Sequence, residues 1–175
     1  MDDTFEFWSG SMKIYQYNRE EAVAYAHKWA FARSPAYFDF SKLGGDCTNF
    51  ISQCLYSGCK TMNHTKTTGW YYYSSYNRTA SWTGVMYLYN FLVNNKGAGP
   101  FAREVPINDM QIGDIIQLSF DGAVFRHSLL VVETGRKPSF NSIKIATHTF
   151  DRDYYPLNNY VFKKFRCLHI EGYRK

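Results

Sequence analysis

Gly44-Gly45-Asp46-Cys47-Thr48-Asn49-Phe50 decides how this chain is read. Two glycines allow a sharp turn, and an apolar run (Phe50, Ile51, Leu55) starts just past the cysteine. The stretch reads as a tight loop that delivers a thiol to the first turn of a helix, with Asp46 as its cap. Unpaired N–H groups and the positive end of the helix dipole favour thiolate at such a position. A backbone N–H at the same helix start can also bind an oxyanion. The structural alternative is an inert cysteine buried in a core.

About 80 positions later Arg126-His127-Ser128 opens an apolar, strand-like run. A cysteine followed much later by a histidine is the order expected of a cysteine hydrolase, with the imidazole as general base. A strand gives the base a rigid mount. An imidazole also needs a partner that fixes its ring. Ala146-Thr147-His148-Thr149-Phe150-Asp151 offers two, His148 and Asp151, and the sequence does not choose between them.

The elements around these residues follow from pattern and punctuation. Asn18-Arg19-Glu20-Glu21 has the form of a capping box and predicts a helix to about Arg33, ended by Ser34-Pro35. The cysteine helix is expected over about 47–56, with Gly58 as terminator. A polar, Tyr-rich loop should fill 60–81, and a third helix about 81–95. Strands are expected at 115–120, 128–134, 142–149 and 160–170, with Asp121-Gly122 as a hairpin turn. Helices first and strands second predict an α+β domain, N-terminal helices on a small antiparallel sheet. Residues 1–17 read as a lead-in whose Phe5, Phe7 and Trp8 dock on the body, and 18–175 as a single domain.

Totals set further bounds. A chain of 175 residues can bury a proper core. Aromatic residues make up 19%, which suits either a Tyr-rich core or an aromatic-lined groove. The net charge of +5 comes without a basic block. Its densest patch, Lys163-Lys164 with Arg166, alternates with Phe162 and Phe165; it suits an anionic surface such as a cell envelope, or a solvated outer face, and speaks little for nucleic acid. Four cysteines are too few for a disulfide scaffold, so buried free thiols are expected. Cys54, Cys59 and His64 do not match a zinc pattern, and neither metal nor organic cofactor is expected. No stretch is long and apolar enough for a membrane helix and no signal peptide is visible, so no membrane insertion is expected.

Taken together, several blocks resemble the putative amidase domain family, a branch of the NlpC/P60-type papain-like cysteine peptidases. They are Asn18-Arg19 with Ala22 and Tyr25-Ala26, Gly44 through Gln53, Gly113-Asp114-Ile115-Ile116-Gln117, His127-Ser128, and His148-Thr149 with Asp151. The resemblance implies an NlpC/P60-like fold with Cys47 as nucleophile, His127 as base and His148 as polar third member. Tyr37, ten positions before Cys47, matches a tyrosine placed near the oxyanion. Thr48 and Asn49 depart from the better-known Asp-Cys-Ser-Gly form, so peptidoglycan specificity does not carry over. The implied activity is cleavage of an amide through a thioester, with a peptide or glycopeptide of the bacterial cell wall as the expected substrate and a monomer as the expected state. Acyl transfer and a silent glycopeptide-binding module are the alternatives. The expected address is secreted or cell-wall associated within a longer precursor, with the cytoplasm as alternative.

Overall fold

Asn18 starts the first helix as its side chain dictates: Oδ1 accepts the Glu21 N–H at 3.0 Å. The computed structural model describes residues 12–175, so the expected docking of Phe5, Phe7 and Trp8 lies outside the described residues. Helix α1 (Arg19–Trp29) buries Ala22, Val23 and Ala26 and ends short of Arg33. Helix α2 (Cys47–Cys59) is buried on every side from Cys47 to Leu55, which makes it the central helix. Gly58 lies inside α2 rather than ending it. A Cβ there would stand 2.3 Å from a Tyr17 ring carbon and 2.7 Å from the Asn18 carbonyl, so this glycine serves close packing. The cap is Lys60, in the left-handed region at φ 49. The expected third helix is two, α3 (Ala80–Thr83) and α4 (Val85–Asn94), parted at an extended Gly84.

Seven strands form one antiparallel sheet among the described residues: β1 (Ile14–Tyr15), β2 (Gly99–Val105), β3 (Ile115–Ser119), β4 (His127–Glu133), β5 (Lys144–Thr147), β6 (Arg152–Pro156) and β7 (Lys164–Arg174). The path runs β1-β7-β3-β4-β5-β6, and β2 pairs with the other edge of β7. The four expected strands correspond to β3, β4, β5 and β7. Strands β1, β2 and β6 were not expected. Gly99-Pro100 reads as a helix stop, yet an edge strand tolerates proline because one side of its ladder is free. Tyr160, expected at a strand start, lies in a turn before β7.

The sheet is packed on both faces. One face carries Ile115, Leu130 and Leu168 against Phe50, Leu55, Trp70, Trp82 and Leu92. The other carries Ile116, Leu118, Leu129, Val131 and Ile145 under Met110, Leu157 and loop aromatics. The Tyr-rich segment is anchored in the core at a few points and otherwise lies at the surface. Trp70 is fully buried and Tyr72 nearly so, while Tyr73 and Tyr76 face solvent. Trp70 Nε1 donates to Ser52 Oγ and Trp82 Nε1 to Asn49 Oδ1, each at 3.0 Å. Burying each indole contributes roughly 4–6 kcal/mol, and the two bonds fix the segment and α3 to α2.

Candidate active site

Cys47 is the first residue of α2 and His127 the first of β4. The two starts are held together. Thr48 Oγ1 and Ser128 Oγ lie 3.1 Å apart, and Gln117 Nε2 donates to the same Ser128 hydroxyl at 3.2 Å. The Ser128 backbone N–H and the Thr48 hydroxyl both face Cys47 Sγ, the latter at 3.8 Å. His127 stands opposite Leu118 in the β3–β4 ladder. Its ring lies beside Phe120 and Tyr160, at centroid distances of 6.3 and 5.8 Å, and the Tyr160 hydroxyl is 3.5 Å from Nε2. Burial pushes the Tyr160 hydroxyl up to about 12, and nearby Cys47 adds to that rise. Tyr160 therefore stands beside His127, near enough to Cys47 to feel its charge. Nothing in Leu157-Asn158-Asn159-Tyr160 marks it in the sequence, because the residue it faces here, His127, is 33 positions away.

Burial sets the charge state here. Cys47 and His127 are each 7% exposed. Burial raises the Cys47 thiol, Asp46 raises it further, and the Ser128 and Thr48 groups only partly offset this. Burial lowers His127 to about 4. Desolvation at both residues therefore opposes the thiolate that the helix start favours, and pulls the pair towards a thiol beside a neutral imidazole.

His148 and Asp151 lie elsewhere than beside the His127 ring. His148 stacks on Phe50 at 4.0 Å, with Nδ1 2.5 Å from Asp46 Oδ2 and Nε2 2.9 Å from the Trp29 carbonyl. Asp151 takes two bonds from Arg33, at 2.9 and 3.0 Å. Both residues face α1 and the start of α2, so neither orients His127 as expected. Asp46 is the N-cap residue of α2, but its carboxylate does not cap the helix. Oδ1 accepts from Phe40 N–H and Asn49 Nδ2, and Oδ2 faces His148. The Asp46 N–H donates to Thr149 Oγ1 at 3.0 Å, across a turn where Thr149 and Phe150 sit at φ 63 and 65. Such backbone is strained for these residue types and persists because contacts fix it. The network pins the residue before Cys47 to α1 and to the end of β5.

Tyr37 is also not at the thiol. It packs on Tyr72 and Trp82 at 5.1 and 5.8 Å, and its hydroxyl feels Tyr25, Tyr56, Tyr72 and Cys54. The hydroxyl beside His127 is that of Tyr160. A groove of about 560 Å³ lies between α4 and residues 63–68, lined by Asn63, Thr65, Tyr87 and Asn90 among others; Cys47, His127 and Tyr160 are not in its wall.

The family model described as "Putative amidase domain" matches residues 16–170. The chain belongs to this family. The match covers both helix and strand layers, including all the residues just described. Membership supports a hydrolytic enzyme acting on amides, at that coarse level. A protein of Bacillus subtilis (strain 168), described as "Uncharacterized protein YhbB", is 35% identical over 135 residues, covering 74% of this chain and 42% of that relative. The chain thus spans less than half the length of the relative. No solved structure matches.

Proposed function

We propose that this amidase-family domain is a papain-like cysteine hydrolase of the NlpC/P60 type that cleaves an amide through a thioester on Cys47. The observation that carries the reading is the junction of two element starts, which puts the Cys47 thiol against the Ser128 N–H next to His127. A helix start presenting a thiol and a strand start presenting an imidazole supply nucleophile and base without further groups.

The steps start from the neutral pair that burial favours. As the substrate carbonyl reaches Sγ, His127 takes the thiol proton while the S–C bond forms. Forming the two charges together, side by side, costs less than charging either alone in a dry site. The oxyanion is met by the unpaired Cys47 N–H at the helix start and by the Tyr160 hydroxyl, which takes the place given to Tyr37 from sequence. The imidazolium then protonates the amine nitrogen and the C–N bond breaks, leaving a thioester. Water attacks it with His127 again as base, and the acid departs as the thiol re-forms. His148 with Asp46 acts as a positioning pair for the cysteine loop rather than as a third member that orients the base.

A peptide or glycopeptide amide of the cell wall is the proposed substrate. Digestion of purified muropeptides, with mass spectrometry of the new termini, tests this. Wild type should release a new amine and a new acid, and Cys47→Ala and His127→Ala should release neither. Turnover that survives Cys47→Ala refutes the mechanism. A wild type inert towards muropeptides removes the substrate.

A further inference from the structure

Phe162-Lys163-Lys164-Phe165 and the turn from Phe120 to Arg126 meet at one end of the sheet. Leu118 and Ser119 stand opposite Phe165 and Lys164 in the β3–β7 ladder. The Lys163 N–H donates to the Ser119 carbonyl at 2.9 Å, and a Cβ placed on Gly122 would lie 3.5 Å from the Lys163 side chain. The two segments are therefore neighbours at this end of the sheet, with Phe165 and Lys164, successive on β7, flanking it on opposite faces. It is unusually apolar for an exposed turn: Val161 is 91% exposed, Phe120 43%, Phe165 41% and Val124 40%.

Cations surround these groups. Arg126, Lys163 and Lys164 are exposed. Arg166, part of the same sequence pattern, is not among them; it is buried, bonded to Gln117 Oε1 and stacked on Tyr89 and Phe125. Residues 119–127 and 160–166 hold one carboxylate, Asp121. Its Oδ1 accepts from the Ser119 hydroxyl and from the N–H groups of Ala123 and Val124, and Oδ2 lies 3.5 Å from Arg126. Asp121 is thus committed to the turn and to Arg126. Among the described residues, neither Lys163 nor Lys164 has a carboxylate partner.

We propose that this end of the sheet docks on an anionic lipid bilayer. Val124, Val161, Phe120 and Phe165 enter the headgroup boundary while Arg126, Lys163 and Lys164 meet lipid phosphates. Apolar side chains on turns, rimmed by one sign of charge, match a flat anionic interface. A protein partner of ordinary size would instead ask for a broad patch with a mixed-sign polar rim. His127 directly follows Arg126 and lies beside Phe120, so docking brings the start of β4 close to the membrane surface. The inference stands whether or not Cys47 is catalytic.

Co-sedimentation of the purified protein with vesicles tests it. Wild type should pellet with phosphatidylcholine and phosphatidylglycerol mixed in equal parts, stay in solution with phosphatidylcholine alone, and bind less as salt rises. Lys163→Glu with Lys164→Glu, and separately Val124→Ser with Val161→Ser, should each lower partitioning by about tenfold or more. Circular dichroism of the exposed-site variants checks that they remain folded, and Val161→Ser alone serves as a milder version. No pelleting with anionic vesicles, equal pelleting with both kinds, or variants that bind like wild type would overturn the proposal. A surface made for a protein partner gives the first of these results.

Discussion

Protonating His127 inside the fold means placing a cation where little water reaches, and its pKa falls from 6.5 to about 4 as a result. The unfolded chain keeps the ordinary value. Between about 6.5 and 4 the unfolded state therefore binds a proton that the native state refuses. Stability contributed by this group is complete above 6.5, declines as pH falls, and is fully lost below about 4. The loss amounts to about 3 kcal/mol. Denaturant unfolding at pH 7 and pH 4 should show wild type losing about that much more than His127→Gln. Equal losses would mean that the imidazole is not held neutral. Cys47 and His127 were legible from sequence because each has a local signature, a glycine turn before a helix and a histidine heading a strand. The His148–Asp46 pair and Tyr160 were not. The first joins residues 102 positions apart, and periodicity carries no information about such a contact. The charge balance at Cys47 is only half visible for a related reason: the helix start is legible in sequence, whereas the burial that opposes it is a property of the packed molecule.

At the scale of elements, Gly58 shows how close packing overrides helix propensity. An alanine in a helix interior is favoured over glycine by about 1 kcal/mol. At this position the added methyl meets the Tyr17 ring at 2.3 Å and the Asn18 carbonyl at 2.7 Å. Overpacking of this kind costs about 1–3 kcal/mol, and the Asn18 side is backbone at the cap of α1, which cannot easily give way. Gly58→Ala should therefore lower the midpoint of thermal unfolding by several degrees. A rise would show that Tyr17 moves freely. The strands divide along the same line. β3 and β4 are rich in Ile, Leu and Val and were read correctly as strands. β6, Arg-Asp-Tyr-Tyr-Pro, carries no such pattern and is a strand because β5 needs a partner. The break at Gly84 was hidden because the apolar spacing continues through both short helices.

For the whole molecule, the architecture explains why reactive groups can be buried yet adjacent. α2 is enclosed by the aromatic segment on one side and the sheet on the other, so its start cannot drift from β4 without exposing a large apolar area. The four cysteines are all free and buried, which makes Cys47 chemically distinguishable by its neighbours rather than by exposure. That distinction gives the most direct test of the account. A peptidyl chloromethyl ketone, which must be drawn into a site before it alkylates, should label the protein once, at Cys47 by peptide mapping, and His127→Ala should slow that labelling by at least about a hundredfold, the contribution of a positioned base. Iodoacetamide near neutral pH should label the same residue slowly, since burial opposes ionisation of the free thiol. Peptidyl labelling that falls equally on Cys54, Cys59 and Cys167, or that proceeds unchanged without the imidazole, would contradict the pairing of Cys47 with His127.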